Sequence, residues 1–108
     1  MPGLRPRTDS APQRLHSLER ADHVRLARAD LKRRLRSGEV AAAETILRCS
    51  RDTASMTVGE LLRSQRGWGP RRSALMLRSV SVSEGKTLGS LTERQRVMLA
   101  AVLTSRER

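Results

Sequence analysis

Aromatic residues are almost absent from this sequence. Its 108 residues include no Phe and no Tyr, and Trp68 is the only aromatic side chain. A hydrophobic core must therefore be built from Leu, Val, Ala, Met and Ile, and it can only be modest. Domains of about 100 to 150 residues are the commonest size, so the chain has room for one domain. We expect its stability to be marginal without a partner or ligand.

Cysteine and long apolar runs are also scarce. Cys49 is the only cysteine, so it cannot form an internal disulfide and is interpreted as a small buried hydrophobic residue. His16 and His23 have no cysteine pair near them, and no metal site is expected. No apolar run approaches the roughly 20 residues of a membrane helix, and no segment has the order of a signal peptide. We therefore expect a cytoplasmic protein with no cofactor and no membrane partner.

Arginine is what the sequence has in excess. It contains 20 Arg and 2 Lys against 11 acidic residues, which gives a net charge of +11. The guanidinium group offers a planar fork of donors that suits phosphate oxygens, whereas the lysine ammonium is a compact point charge. A GC-rich gene would explain the ratio of Arg to Lys but not the net charge. A polyanion is therefore the expected partner.

The charges are segregated along the chain. Residues 1–36 hold ten basic and four acidic side chains, residues 37–62 two and four, residues 63–96 eight and two, and residues 97–108 two and one. A uniformly solvated cationic surface would not need this segregation, whereas a nucleic acid contacted from two sides would. The pattern favours two basic regions that flank a slightly acidic middle.

Two segments are predicted at the start of the chain. Residues 1–14 hold three of the four prolines and no apolar period, so they are interpreted as a flexible arm. Residues 15–36 predict one long basic helix that stops at Gly38, because glycine favours the left-handed conformation found just past a helix end. The apolar residues that recur there at helical spacing are Val24, Ala27, Leu31 and Leu35.

Residues 37–108 are expected to form a domain of four further helices without strands. The second helix is predicted over residues 39–49. Thr57 and Glu60 have the spacing of a capping box, in which each side chain caps the other's backbone amide. The third helix should therefore begin there and end near residues 65–66.

Similar signals predict the last two helices. Pro70 suits the first position of the fourth helix, which is expected to continue to Val80. Thr92 and Gln95 have capping spacing at the start of the fifth helix. The buried face of the fifth helix is predicted to consist of Val97, Met98, Ala101 and Val102.

The most informative motif is the Gly67-Trp68-Gly69 turn between the third and fourth helices. Two glycines let the backbone approach a phosphate closely, and the amides that open the fourth helix point outward with the positive end of the helix dipole behind them. Arg71 and Arg72 oppose this dipole at a cost of roughly a few tenths of a kcal/mol, which a bound phosphate would offset.

Two interpretations of this turn stay open. It is either a phosphate-binding element preceded by Arg66 or an ordinary tight turn whose arginines are solvated. Trp68 could insert beside a sugar or between base steps, but a lone tryptophan more often anchors a small core, and we favour the core role.

Other basic residues are weaker candidates. Arg33 and Arg34 on the long helix could follow a groove or backbone of a nucleic acid, or could form a solvated helix face. Lys86, in the loop before the last helix, is a further candidate for a phosphate contact. The full set of predicted contact residues is Arg33, Arg34, Arg66, Gly67, Trp68, Gly69, Arg71, Arg72 and Lys86.

From about residue 28 onward the sequence resembles the actinobacterial integration host factor family. These small nucleoid-associated proteins have a helix-two-turns-helix module similar to that of ribosomal S13-type proteins. The resemblance rests on residues 28–38 (RADLKRRLRSG), residues 58–62 (VGELL), residues 67–69 (GWG) with Arg72 three positions on, and Gln95. It implies an all-α fold in which a long basic helix is followed by a four-helix, S13-like module.

The resemblance also implies binding of duplex DNA with little sequence preference, together with DNA bending or compaction in the nucleoid. Two features depart from the family. Pro70 stands where the family usually has a basic residue, and Lys86-Thr87-Leu88-Gly89 replaces a loop with three arginines. These departures indicate a divergent paralogue with differently placed contacts, in which Arg71 compensates for the missing loop arginines.

No Ser-His-acid order, Walker loop or carboxylate pair stands out in the sequence. We therefore predict a protein that is not an enzyme but binds double-stranded DNA, as a monomer and alongside other nucleoid proteins. The alternative is a protein that binds structured RNA or the ribosome, since a glycine turn with arginines suits folded RNA equally well. An adaptor for an acidic protein is disfavoured, because aromatic anchors are scarce.

Overall fold

The structure, a computed structural model, describes the backbone of residues 5–106 and the side chains of residues 17–105. In this part of the chain, Thr57 and Thr87 form an isolated antiparallel β-bridge, and all the regular elements are helical. The elements are α1 (Arg5–Ser37), α2 (Ala42–Arg48), α3 (Val58–Arg63), α4 (Pro70–Ser79), a 3-10 helix (Leu88–Ser90) and α5 (Glu93–Arg106). The predicted all-α class, with a long first helix and four shorter helices after it, is confirmed.

The first helix begins earlier than predicted. α1 starts at Arg5, ten residues before the expected start at residue 15. Pro6 falls in the first turn, where a missing backbone N–H is not needed, so the boundary at residues 14 and 15 was wrong. The flexibility of the arm stays a prediction, and its residues 1–4 lie outside the described residues. The end of the helix agrees with the prediction, because Gly38 follows Ser37 with a φ of +83°.

The core is aliphatic and gathers the four short helices against the end of α1. α2 packs along α5, and α3 packs along α4. Leu35 of α1 is buried, and Trp68 and Cys49 pack against the edge of the core as half-buried residues. Cys49 is thus less buried than predicted. The side chains with an exposed fraction below 2% include Ile46, Met56, Leu61, Leu62, Met76, Leu77, Leu88, Leu99 and Leu103.

Both predicted capping signals form, but only one is reciprocal. Thr57 Oγ1 accepts a hydrogen bond from Glu60 N at 3.1 Å, while the carboxylate of Glu60 is directed to α1 instead of back to Thr57. At the start of α5, Thr92 Oγ1 accepts from Gln95 N at 3.1 Å, and Gln95 Oε1 accepts from Thr92 N at 3.0 Å. The bounds of α2, α3 and α4 lie within three residues of the predicted ones.

The buried face of α5 was predicted wrongly except for Val102, which packs against the core as a half-buried residue, and the predicted Ala101 is exposed. Leu99, Ala100 and Leu103 are buried, whereas Val97 and Met98 are 56% and 40% exposed. Two apolar stripes run along this helix, and periodicity alone does not tell which of them packs on the rest of the domain. The core takes the stripe with the two leucines, which packs on the rest of the domain next to α2.

The carboxylate of Glu60 on α3 connects this helix to α1. Its carboxylate accepts a hydrogen bond from Arg28 Nη2 at 2.5 Å, and it lies 3.4 Å from Lys32 Nζ. Burial raises the pKa of Glu60, but the hydrogen bonds and charges of Arg28 and Lys32 outweigh burial and hold the pKa below its ordinary value. The long helix is therefore attached to the domain by charge as well as by the apolar contact of Leu35.

We expect Glu60→Gln to lower the free energy of unfolding by about 1 kcal/mol near neutral pH. Because folding lowers the pKa of Glu60, its contribution is complete above the unfolded value, about 4.3. The contribution is lost as the pH falls through the lower, folded value. Urea unfolding from about pH 7 down to about pH 3 should show the difference between wild type and variant shrinking at the acid end.

The matched control is Glu44→Gln. Glu44 is exposed and pairs with Arg48 at 3.1 Å within α2, so its loss should change stability by less than about 0.5 kcal/mol. Equal losses in the two variants, or a loss for Glu60→Gln that does not depend on pH, would contradict the role of Glu60 as the attachment of α1.

Candidate nucleic-acid interface

The two glycines of the turn between α3 and α4 have different conformational needs. Gly67 has a φ of +80°, a left-handed conformation that costs other residues roughly 1 kcal/mol or more. Gly69 has a φ of −87° and a ψ of 179°, which any residue adopts, and no heavy atom lies within 4 Å of the position of an added Cβ. The backbone therefore favours glycine at position 67 but not at position 69, where the missing side chain leaves open space.

This open space lies at the N-terminus of α4. Gly69 is the N-cap residue, Pro70 stands in the first turn as predicted, and no side chain caps the helix. Ser73 N is bonded to Gly69 O at 3.1 Å, and the amides of Arg71 and Arg72 have no partner among the backbone bonds of the described residues. Free amides with the positive end of a helix dipole behind them form a binding site for an anion.

The arginines at this turn carry uncompensated charge. Arg66, Arg71 and Arg72 are exposed. None of them takes part in the ion pairs that the described residues form. The turn thus presents free amides and guanidinium groups without carboxylate partners among the described residues, which suits an anion such as phosphate.

Trp68 joins the turn to the core. It is half-buried against the apolar cluster, in agreement with the core role that the sequence interpretation favours. The guanidinium carbon of Arg72 lies 4.1 Å from the centre of the Trp68 ring, a cation–π contact worth about 0.5–1 kcal/mol at an exposed site. Because Arg72 covers one face of the ring, that face is not free to stack on a base.

Arg33 and Arg34, the two arginines of α1 that were predicted to contact DNA, form ion pairs within the protein. Arg33 pairs with Asp30. Arg34 Nε lies 2.9 Å from Asp30 Oδ2 and 3.3 Å from Glu39 Oε2. A phosphate would have to compete with these carboxylates, so the predicted contact role of Arg33 and Arg34 gains no support from their surroundings and stays a prediction.

Arg36 is a basic residue near the turn that the sequence interpretation did not single out. It is exposed, belongs to none of the ion pairs of the described residues, and lines a surface groove together with Arg66 and Trp68. A sequence signal for it does exist. Arg33 and Arg34 follow Asp30 at the helical spacings of three and four residues, which favour ion pairs, whereas no acidic residue precedes Arg36 at either spacing.

Lys86 lies in a loop that packs against the start of α3. Its carbonyl oxygen accepts a hydrogen bond from Val58 N at 2.8 Å, and none of the hydrogen bonds or ion pairs of the described residues joins it to the glycine turn. Gly89 donates its amide to Ala54 O at 2.9 Å, and a Cβ at position 89 would lie 3.0 Å from Ala54 Cβ. The absence of an arginine there thus has a structural reason, because the backbone is pressed against Ala54.

Within residues 17–105 no group of three or more His, Cys, Asp and Glu side chains could hold a metal ion. His23 instead lies 3.2 Å from Asp52 on the surface, and the side chain of His16 lies outside the described residues. None of the described helices is both long enough and apolar enough to cross a membrane.

The fold and the glycine turn together define an integration-host-factor-like architecture. The chain is similar to a solved structure of sIHF bound to an 8 bp palindromic DNA, with a TM-score of 0.71 and 26% sequence identity. The similarity covers 79% of this chain and 98% of that chain. No protein-family model matches the chain, and no curated protein matches it. The likeness confirms the fold that the sequence resemblance implied, while membership of the actinobacterial family stays an expectation.

Proposed function

We propose that this protein binds duplex DNA through the phosphate backbone, with little sequence preference and without enzymatic activity. The observation that carries the proposal is the likeness to sIHF, which spans 98% of that chain and concerns a structure with bound DNA. The open N-terminus of α4 and the free arginines around it supply the mechanism, because contacts to phosphates position a duplex without reading its sequence.

The proposed primary contact is a phosphate in front of Gly69. It accepts hydrogen bonds from the amides of Arg71 and Arg72, which have no other partner among the backbone bonds of the described residues. The positive side chains in the first turn of α4 oppose the helix dipole when the site is empty, and a bound anion removes this conflict. The exposed guanidinium group of Arg66 adds to the field that attracts the duplex.

We further propose a nucleoid role in the cytoplasm, in which the protein bends or compacts DNA in the manner of an integration host factor. α1 contains 33 residues, which corresponds to a length of about 50 Å at the helical rise per residue. We propose that this basic helix offers a second surface beside the glycine turn and that the duplex bends to follow both. The protein would act as a monomer alongside other nucleoid proteins.

We expect the affinity for duplex DNA to fall steeply as salt is added. Each phosphate neutralised adds about 0.9 to the slope of log K against log salt. The three free arginines at the turn therefore predict a slope of about −3 or steeper. Fluorescence anisotropy of a labelled duplex, titrated with the protein over a series of salt concentrations, measures this slope. A slope near zero would contradict binding through the phosphate backbone of DNA.

The same assay tests the other parts of the proposal. Duplexes of unrelated sequence should bind with similar affinity, because phosphates carry no sequence information. Unlabelled duplex DNA should displace the labelled duplex more effectively than structured RNA does at the same salt concentration. Stronger displacement by the RNA would favour the RNA-binding alternative.

A further inference from the structure

A surface groove lies between the end of α1 and the turn that precedes α4. It encloses about 350 Å³, at the lower end of the range of ligand sites. One part of its lining is cationic and consists of Arg36 from α1 and Arg66 from the turn. The apolar part of the lining includes Leu35, Val40, Ala41 and Trp68.

The two arginines of this groove differ from their neighbours on α1. Asp30 and Glu39 hold Arg33 and Arg34, whereas Arg36 and Arg66 enter no ion pair among the described residues. Two unpaired positive charges on one concave surface strengthen the local field, and such a field concentrates anions. The groove therefore suits an anionic ligand.

The backbone at one end of the groove is also open. Gly38 has a φ of +83°, and no heavy atom lies within 4 Å of the position of an added Cβ. Ser37 and Gly38 belong to the lining, so a ligand can approach the main chain closely at this end. The lining of the groove thus combines an accessible glycine turn after α1 with Arg66 and Trp68 from the turn before α4.

A sugar–phosphate strand matches both the cationic and the apolar part of the groove lining. Its phosphates are anionic, and the edges of its deoxyribose rings are largely apolar. A base fits less well, because Arg72 covers one face of Trp68 at 4.1 Å from the ring centre and prevents stacking there. The mixture of free arginines with aliphatic side chains therefore favours the DNA backbone over an extruded base.

We propose that this groove holds a strand of the DNA backbone, with Arg36 and Arg66 on its phosphates and Trp68 against a sugar. The inference rests on the proposed DNA binding and deepens it, because it adds a contact that is separate from the phosphate in front of Gly69. Arg36 becomes a specific contact residue of the interface.

The test compares Arg36→Ala with Arg48→Ala. Arg48 is exposed, pairs with Glu44 at 3.1 Å within α2 and is not among the predicted contact residues. Each variant removes one positive charge from an exposed position, so the net charge changes by the same amount. Arg36→Ala should weaken duplex binding roughly tenfold and reduce the magnitude of the salt slope by about 0.9. Arg48→Ala should change the affinity less than about twofold and leave the slope unchanged. Circular dichroism of both variants verifies that the helices are intact.

Arg36→Lys is the second variant. It keeps the charge but loses the planar fork, so it should retain the salt slope while recovering only part of the affinity. If Arg36→Ala binds as tightly as Arg48→Ala while the wild type shows a steep salt dependence, the groove inference is wrong and the proposed DNA binding stands. If the wild type does not bind duplex DNA even at low salt, the proposed function itself fails.

Discussion

Replacing Gly69 with threonine is expected to remove most of the DNA binding while the protein stays folded. Threonine is a favoured N-cap residue, the backbone at position 69 has an ordinary extended conformation, and an added Cβ meets no heavy atom within 4 Å. The thermal midpoint of unfolding should therefore stay the same or rise. The new side chain would occupy the space of the proposed phosphate, and its hydroxyl can accept from an α4 amide, so the affinity should fall roughly tenfold to hundredfold.

Gly85→Thr is the matched control for this experiment. Gly85 also has open space around the position of an added Cβ and does not need the left-handed conformation, but it lies in the loop between α4 and the 3-10 helix. Anisotropy titrations and thermal melts of the two variants should show a loss of affinity at position 69 alone. Equal losses of affinity in both variants, or a loss of stability at position 69 that matches the loss of affinity, would support an ordinary turn.

The largest effect on stability is expected for Leu99→Ala. Leu99 has no exposed surface and lies on the face of α5 that packs against α2. Truncation of such a residue costs about 2–5 kcal/mol, because it removes apolar contacts and leaves a cavity. Small domains have a total stability of about 5–15 kcal/mol, so this variant should unfold at a much lower concentration of urea. Circular dichroism during urea titration measures the shift.

Met98→Ala is the control for the orientation of α5. Met98 is the adjacent residue, has a side chain of similar size and is 40% exposed. Its truncation should cost less than about 1 kcal/mol, since much of the side chain is already in contact with water. A larger loss for Met98→Ala than for Leu99→Ala would mean that α5 packs through the face that contains Val97 and Met98.

The number and order of the helices could be predicted because their ends depend on local signals. Gly38, Pro70 and the Thr92-Gln95 capping box each act through the conformation or hydrogen bonding of a few neighbouring residues, and each marks a helix end in the structure. The start of α1 was the exception, because the prolines of its first turns were interpreted as marks of an irregular segment.

Features that depend on distant residues could not be predicted in the same way. Glu60 satisfies every local requirement of a capping box, but it bonds to Arg28, 32 residues away in the sequence. The choice between the two apolar stripes of α5 likewise depends on packing against α2, which periodicity does not describe. In both cases a tertiary contact decided between alternatives that the sequence left equivalent.

The same distinction between local signals and the three-dimensional structure applies to the candidate site. The sequence locates the glycine turn but treats its two glycines alike. The backbone angles separate Gly67, whose positive φ favours glycine, from Gly69, whose extended backbone suits any residue. Among the arginines of α1, the position of Asp30 accounts for the pairing of Arg33 and Arg34. The same local pattern distinguishes Arg36, because no acidic residue precedes it by three or four positions.

The single tryptophan makes the intrinsic fluorescence of the protein simple to interpret. With no tyrosine or phenylalanine in the chain, all of its aromatic fluorescence comes from one indole ring. That ring lies beside the proposed interface, with Arg72 against one face and the groove at its edge. The spectrum of the unlabelled protein therefore reports from one known place, and events in the groove can be followed without a dye and without background from other rings.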